Sequence, residues 1–380
     1  MHCPDRFITL PWSDLYPPIK DIAMTWKVTD LPIVAKSALC LYLITFIGRV
    51  NAQSFQFADT HPVNNPDSLE QWLGQHQALS EDRLKNLISL ERTYTWNMKS
   101  KAGTYFPEIK RYAVIQKNAM AKAAYDYLLA YKYFDEEKES KTALYANQAL
   151  NEFISLTDKS GQLHAYSLLV LIKSNEFGLK VSSTNKPSLF YLDKMEGLLA
   201  ETKDGHDFLM VQLTYTRYHY GQNGYNGNAL QKTVETAIQR INQNPAYGYA
   251  RYRFNRLKAL SYYLLGQHEK SYNLNKQILA QLRPDQFAEL ALTKYNLAIE
   301  CYLLKRTEEG IRLCQESIKL QSKYTPEGYT KLAATYSKYR ALLQQKGDYV
   351  AAELLSDSIG IINNYILVAK NDKKLLELEA

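Results

Sequence analysis

The feature that most constrains the fold is a pattern of small and apolar residues that repeats at a nearly fixed interval in the second half of the chain. The small residues Ala259 and Ser271 are 12 positions apart, as are Ala298 and Gly310, and 39 positions separate the two pairs. A third copy covers Leu342–Ala352. Apolar residues recur at helical spacing from about residue 80 onward. This repeat predicts helical hairpins that stack on one another and share a continuous core.

The turns inside these repeats carry a resemblance to a known family. Gly266-Gln267-His268 and Gly347-Asp348-Tyr349 match the Gly-polar-aromatic turn of the tetratricopeptide repeat (TPR), whereas Lys305-Arg306-Thr307 departs from it. The interval of 39 to 42 residues exceeds the usual TPR length of about 34 residues. The resemblance is specific over 247–362, moderate over 105–245 and absent before 80. It implies an all-α, right-handed α-solenoid of TPR-like helix-turn-helix hairpins, with a concave surface lined by the first helix of each hairpin.

The pattern predicts six hairpins that follow a leading helix, Leu84–Lys99. The second helices of these hairpins are expected to begin near Lys141, Ser188, Leu230, Glu269, Glu308 and Tyr349. We expect a polar lead segment at 53–79, the solenoid at 80–370, and the start of a charged connecting helix at 371–380.

The first fifty residues predict export. Ser37–Gly48 is an apolar run of 12 residues between Lys36 and Arg49, which is too short for an ordinary membrane-spanning helix and is typical of a signal peptide. Cleavage is expected between Ala52 and Gln53. Met24 is the expected start of translation, so residues 1–23 are interpreted as a mis-annotated upstream extension and 24–52 as the signal peptide. A buried helix and an uncleaved anchor are the alternatives.

Composition and motif spacing argue against several classes of function. The 46 basic and 39 acidic residues are mixed along the chain and give a net charge of only +7, so we expect no nucleic-acid partner. No nucleophile, base and orienting group can be placed together, and no histidine has a partner at metal-ligand spacing. We therefore expect a protein that is not an enzyme and has neither metal nor cofactor.

Two local patterns have a simpler explanation than a chemical site. Gly221–Gly227 looks like a phosphate-binding loop, but it follows a helix and lacks the Lys-Ser or Lys-Thr pair, so a turn between helices is the favoured interpretation. Cys301 and Cys314 fall in the two helices of one hairpin. An exported protein permits a disulfide between them, but buried free thiols are the favoured interpretation and the pairing stays open.

The candidate binding site is a groove on the concave surface. The TPR pattern implies that Arg253, Arg256 and Tyr263 line this groove from one first helix, and that Tyr295, Ile299 and Tyr302 line it from the next. Tyrosine and arginine are enriched where proteins bind one another, so a protein or peptide partner is expected. An ordinary solvated helix face is the alternative. The carboxylate-clamp pattern of chaperone-binding repeats is not matched.

The order of segments resembles the periplasmic sensor region of bacterial membrane histidine kinases and helix-turn-helix regulators. This resemblance implies an exported, periplasmic input region for signal transduction. After residue 368 the tail Lys370–Ala380 begins a charged, leucine-bearing helical pattern and then stops. We therefore expect a chain truncated before a coiled coil and a membrane tether. The alternative is a freestanding periplasmic TPR adaptor that assembles partner proteins. A homodimer is an open alternative in both cases.

Overall fold

The computed structural model describes residues 55–379, apart from 137, 176–185, 223–226 and 325–328. Within these residues there are fifteen α-helices and no strand, so the all-α prediction is confirmed. Three short 3₁₀ helices occupy Phe57–Thr60, Lys99–Lys101 and Pro245–Ala250. The α-helices are α1 Pro66–Gln75, α2 Glu81–Asn97, α3 Phe106–Val114, α4 Ala119–Asp135, α5 Glu139–Ser155, α6 Lys159–Asn175, α7 Lys186–Thr202, α8 Gly205–Gln222, α9 Gly227–Gln243, α10 Arg251–Leu264, α11 His268–Gln281, α12 Phe287–Leu303, α13 Thr307–Tyr324, α14 Tyr329–Lys346 and α15 Tyr349–Glu379.

The helices from α4 onward form six consecutive hairpins. Each pair packs side by side, from α4 with α5 to α14 with α15, and the second helix of most hairpins packs on the first helix of the next. The second helices begin at Glu139, Lys186, Gly227, His268, Thr307 and Tyr349, within three residues of every predicted start. The chain is therefore a helical solenoid in which each hairpin buries its apolar faces against its neighbours.

The turns inside the three C-terminal hairpins share one backbone feature. A residue shortly after the end of the first helix has a positive φ: 70° at Gly266, 60° at Lys305 and 88° at Gly347. A left-handed residue after a helix lets the final carbonyl groups find partners, and glycine adopts it at the lowest cost. Lys305 therefore departs from the TPR turn in residue type but keeps the positive φ of the glycine turns.

The small residues of the repeat lie where helices cross. A Cβ added at Gly310 would come within 2.8 Å of the Leu342 side chain and 3.1 Å of the Cys301 Cβ. Ala298 and Ser271 are buried as well. The repeat of small residues that identified the hairpins is thus explained by close helix packing.

One helix outside the hairpins is buried on all sides from Leu87 to Trp96. The sequence pattern predicted a leading helix at Leu84–Lys99, and α2 occupies Glu81–Asn97. Its apolar residues, including Leu87 and Ile88, are fully buried, and so are the charged side chains of Glu91 and Arg92. A helix that is buried all round belongs to the interior of a protein rather than to its edge.

The last helix differs in its exposure. Along α15 the large apolar side chains of Val350, Leu354, Ile361 and Tyr365 are exposed. The side chains beyond Leu367 lie outside the described part of the chain. Among the described helices none combines the length and the hydropathy that crossing a membrane requires.

Candidate functional site

The first helices of several hairpins contact one stretch of chain, the N-terminal segment, which we define as Phe55–Lys101. Its first 3₁₀ helix packs on α6, α2 packs on α4 and α10, and the 3₁₀ helix Lys99–Lys101 packs on α12. Because one segment touches the first helices of four different hairpins, it lies along their common inner face. This is the face that the repeat pattern predicts as a binding groove.

Arg253 is the residue for which this arrangement overturns the sequence prediction. We expected an exposed groove residue, but the Arg253 side chain is only 2% exposed. Its Nε donates to the Trp96 carbonyl at 2.8 Å, its Nη2 to the Thr95 carbonyl at 2.6 Å, and its Nη1 to the Tyr131 hydroxyl at 2.6 Å. The guanidinium also lies 4.7 Å from the Trp96 ring centroid. The side chain points inward as the repeat predicts, but the N-terminal segment already occupies that space.

These contacts complete the C-terminal end of α2. The last four carbonyl groups of an α-helix have no partner within the helix. In α2, Arg253 takes the carbonyls of Thr95 and Trp96, and Gln286 Nε2 donates to the Asn97 carbonyl at 2.7 Å. The remaining carbonyl accepts the backbone N–H four positions further on. A cation at this end also opposes the negative pole of the helix dipole. The hairpins therefore act as the cap of α2.

The beginning of the N-terminal segment is held by a second buried arginine. Arg92 Nη1 donates to the carbonyls of Phe57 at 2.9 Å and Thr60 at 2.8 Å. Its Nη2 lies 3.3 Å from His164 Nε2, which in turn is 3.2 Å from Asp207 Oδ1. His164 belongs to α6 and Asp207 to α8. This polar chain joins the N-terminal segment to two successive hairpins, and all of its members are buried.

A pair of histidines extends the network towards α10. The rings of His61 and His206 stack with their centroids 3.5 Å apart. His206 Nδ1 lies 2.7 Å from the Tyr249 hydroxyl, and His61 Nε2 lies 3.6 Å from Asp204 Oδ2. The N-terminal segment is thus attached to the inner face through aromatic and polar contacts together.

The buried histidines of this network are uncharged at neutral pH. Burial, helped by the charge of Arg92, lowers the pKa of His164 to about 4. Burial and the neighbouring His61 lower the pKa of His206 to about 3. Arg92 can therefore lie beside His164 without repulsion between two cations, because the His164 imidazole is uncharged at neutral pH.

We expect stability to fall on acidification through His164. A folded-state pKa near 4, against about 6.5 in the unfolded chain, means that the unfolded state binds more protons between these values. Relative to a His164→Gln variant, the wild type should lose about 3 kcal/mol of unfolding free energy between pH 6.5 and pH 4. Urea denaturation at pH 7, 5.5 and 4 measures this difference. Parallel dependence of stability on pH for the wild type and His164→Gln would contradict the expectation.

The other five predicted groove residues are half-buried: Arg256, Tyr263, Tyr295, Ile299 and Tyr302. Burial raises the pKa of Tyr295, and the nearby Cys314 and Tyr263 add to this shift. Lys338 Nζ is 4.2 Å from the centroid of the Tyr302 ring, which brings α14 to the same set. These residues form what we call the tyrosine face, defined as the five residues above and Lys338.

Lys338 is the member of this face that the sequence reasoning missed. The third repeat copy was recognised only from Leu342 onward, so no groove positions were assigned to α14. Lys338 lies 39 positions after Ile299, which is the repeat interval. Extending the alignment backward by one helical turn could have found it. Burial lowers the pKa of its ammonium group, in keeping with its place against the ring.

The remaining sequence candidates fall into two groups. Cys301 and Cys314 are free thiols in the buried core, and burial raises the pKa of each to about 12, which keeps both protonated and unreactive. The predicted cleavage residues Ala52 and Gln53 lie outside the described residues, as does the middle of Gly221–Gly227. Within the described residues no group of three or more His, Cys, Asp or Glu side chains could hold a metal ion.

Comparison with known proteins bears on the fold alone. No protein-family model matches the sequence, and no curated protein matches it. Among solved structures the chain is similar to the crystal structure of Rap protein complexed with Competence and Sporulation Factor. The TM-score is 0.50 at 9% sequence identity, over 80% of this chain and 92% of that chain. Together with the six stacked hairpins, this similarity identifies a TPR-like helical-repeat fold.

Proposed function

We propose that this protein is a non-catalytic scaffold that binds a protein or peptide partner on its tyrosine face. The observation that carries the proposal is a difference in side-chain exposure between two parts of the inner side of the hairpins. The N-terminal segment covers the inner side of the hairpins from α4 to the starts of α10 and α12, and it buries Arg253. The tyrosine face follows directly on α10, α12 and α14 and keeps its aromatic and cationic groups half-exposed.

The composition of the tyrosine face suits the binding of a protein segment. Tyrosine offers a large apolar area at a small cost in conformational entropy, and arginine and tyrosine are enriched among residues that dominate binding energy. Lys338 and Arg256 give the face a positive charge. Lys338 lies against the Tyr302 ring and Arg256 against the Tyr252 ring. A partner segment with acidic and apolar side chains would complement both features.

Selection of peptides from a random display library tests this function. We expect bound peptides to be rich in acidic and apolar residues. Their affinity should fall at least tenfold for Tyr302→Ala and for Lys338→Glu. Tyr349→Ala is the matched control, because this tyrosine is 70% exposed on α15, away from the face. The proposal is wrong if the selected peptides bind both variants as tightly as the wild type.

We further propose that the scaffold is exported and serves as the input region of a signal-transduction protein. The support is the apolar run Ser37–Gly48, the small residues before Gln53, and the charged helical tail. N-terminal sequencing of the periplasmic fraction after expression from Met24 should give Gln53, or a blocked end at that residue. An intact cytosolic chain would contradict export. Genomic sequence beyond codon 380 separates the sensor from the alternative, a freestanding adaptor.

A further inference from the structure

A cavity of about 380 Å³ lies between the N-terminal segment and the helices α10 and α11. Its walls include the buried apolar side chains of Met98, Tyr249 and Ile278. None of the residues of the tyrosine face lines it. Sites for small ligands in proteins occupy about 300 to 1,000 Å³ and are mostly apolar with a few polar groups. The cavity is at the lower end of that range.

Hydrogen bonds across the cavity hold its walls in place. Asn64 Nδ2 donates to the Pro245 carbonyl at 2.8 Å, and Asn97 Nδ2 donates to the Tyr249 carbonyl at 2.7 Å. Gln286 Nε2 then donates to the Asn97 carbonyl at 2.7 Å. The N-terminal segment is thereby tied to the 3₁₀ helix Pro245–Ala250 and to the residue that precedes α12. A site with walls fixed in this way loses little freedom when a ligand enters.

Two carboxamide groups at the cavity have no protein partner. Asn255 on α10 is half-buried, Gln281 at the end of α11 is exposed, and neither side chain makes a hydrogen bond within the described part of the chain. The two arginines of the lining are different, because both are already paired. Arg251 donates to the Asn242 side chain at 2.8 Å, and Arg283 pairs with Asp67 and Asp285. The charge of Arg283 is thus balanced by two carboxylates, whereas Arg251 has only a neutral amide partner.

We propose that this cavity binds a peptide segment through one large apolar side chain. The apolar walls would take the side chain. The carboxamide of Asn255 presents one acceptor and two donors, which match the N–H and the C=O of a peptide bond. The cavity is a second site, distinct from the tyrosine face, and its occupation does not depend on the function proposed for that face.

Blocked amino acids test this site directly. The probes are N-acetyl-L-phenylalanine N-methylamide and its glycine analogue, which keeps both peptide bonds and lacks the side chain. Binding is measured by ligand-observed NMR titration. We expect the phenylalanine probe to bind at least tenfold more tightly than the glycine probe, because only the former places an apolar side chain in the cavity.

The variant Asn255→Leu isolates the role of the carboxamide. The wild-type side chain has no hydrogen bond to lose, so the variant should fold with an unchanged melting temperature. The affinity of the phenylalanine probe should fall at least fivefold. Asn273→Leu on the exposed side of α11 is the matched control and should leave the affinity unchanged. Equal binding of the two probes, or equal binding to wild type and Asn255→Leu, would overturn the proposal.

Discussion

Replacing Arg253 by methionine should reduce the free energy of unfolding by about 3–5 kcal/mol. The wild-type guanidinium serves three acceptors, the carbonyls of Thr95 and Trp96 and the hydroxyl of Tyr131, all in a buried environment. Methionine fills most of the same volume and donates to none of them. The cost therefore comes from leaving the C-terminal end of α2 without partners, rather than from a cavity. Urea denaturation followed by circular dichroism measures the change.

Arg256→Met is the matched control for this prediction. Arg256 is on the same helix one turn later, is half-buried, and has its guanidinium 5.9 Å from the Tyr252 ring centroid. Its replacement should change the unfolding free energy by about 1 kcal/mol or less. A similar loss of stability for the two variants would contradict the distinction between the inward-facing Arg253 and the half-exposed Arg256.

Replacing Phe57 by alanine should also cost about 3–5 kcal/mol, although this residue lies outside all six hairpins. Phe57 is fully buried. Its ring centroid lies 5.2 Å from that of Tyr127, 5.0 Å from that of Phe153 and 5.4 Å from that of His164. These three partners belong to α4, α5 and α6. Loss of the ring would open a cavity where the N-terminal segment meets three helices of the stack.

The control for Phe57 is Phe190→Ala on α7. This phenylalanine is 53% exposed, so its removal should change stability by less than about 1 kcal/mol. Thermal and urea unfolding of both variants give the comparison. If Phe57→Ala were as mild as Phe190→Ala, the N-terminal segment would not be part of the same cooperative unit as the hairpins.

The hairpins could be predicted from the sequence because their signal is local. Small residues at helix crossings, such as Ala298 and Gly310, repeat at a fixed interval, and the glycine turns mark where each first helix ends. Each hairpin contacts mainly its neighbours, so the sequence near a hairpin carries most of the information about it. The start of α13 was predicted accurately although the turn before it has Lys305 in place of glycine, because Lys305 keeps the positive φ.

The burial of α2 could not be predicted in the same way. Its contacts join residues far apart in sequence: Arg253 bonds to carbonyl groups 157 and 158 positions earlier. Glu91 and Arg92 also give the helix the charged character of a surface element, although both are buried. Glu91 is accommodated because it accepts the backbone N–H groups of Gly103 and Tyr105 at the start of α3. No periodicity in one helix reports partners of this kind.

The same long-range packing explains why only some of the predicted groove residues are accessible. The repeat alignment placed Arg253 and Arg256 at positions that face the inner side of the solenoid. Which of the two stays accessible depends on how far the N-terminal segment extends along that side. The sequence of α10 carries no information on this point. The tyrosine face is therefore the part of the predicted groove that the N-terminal segment leaves open.

Native-state hydrogen exchange of the α2 amides tests whether the N-terminal segment permanently fills the inner face of the hairpins from α4 to the starts of α10 and α12. We expect the amides of Leu87, Ile88 and Leu90 to exchange only through global unfolding, with the same free energy as the slowest amides of α10 and α12. The contradicting result would be exchange of these α2 amides through an opening of lower free energy while α10 and α12 stay protected. In that case the segment would be a removable occupant, and the whole inner face would be available to a partner.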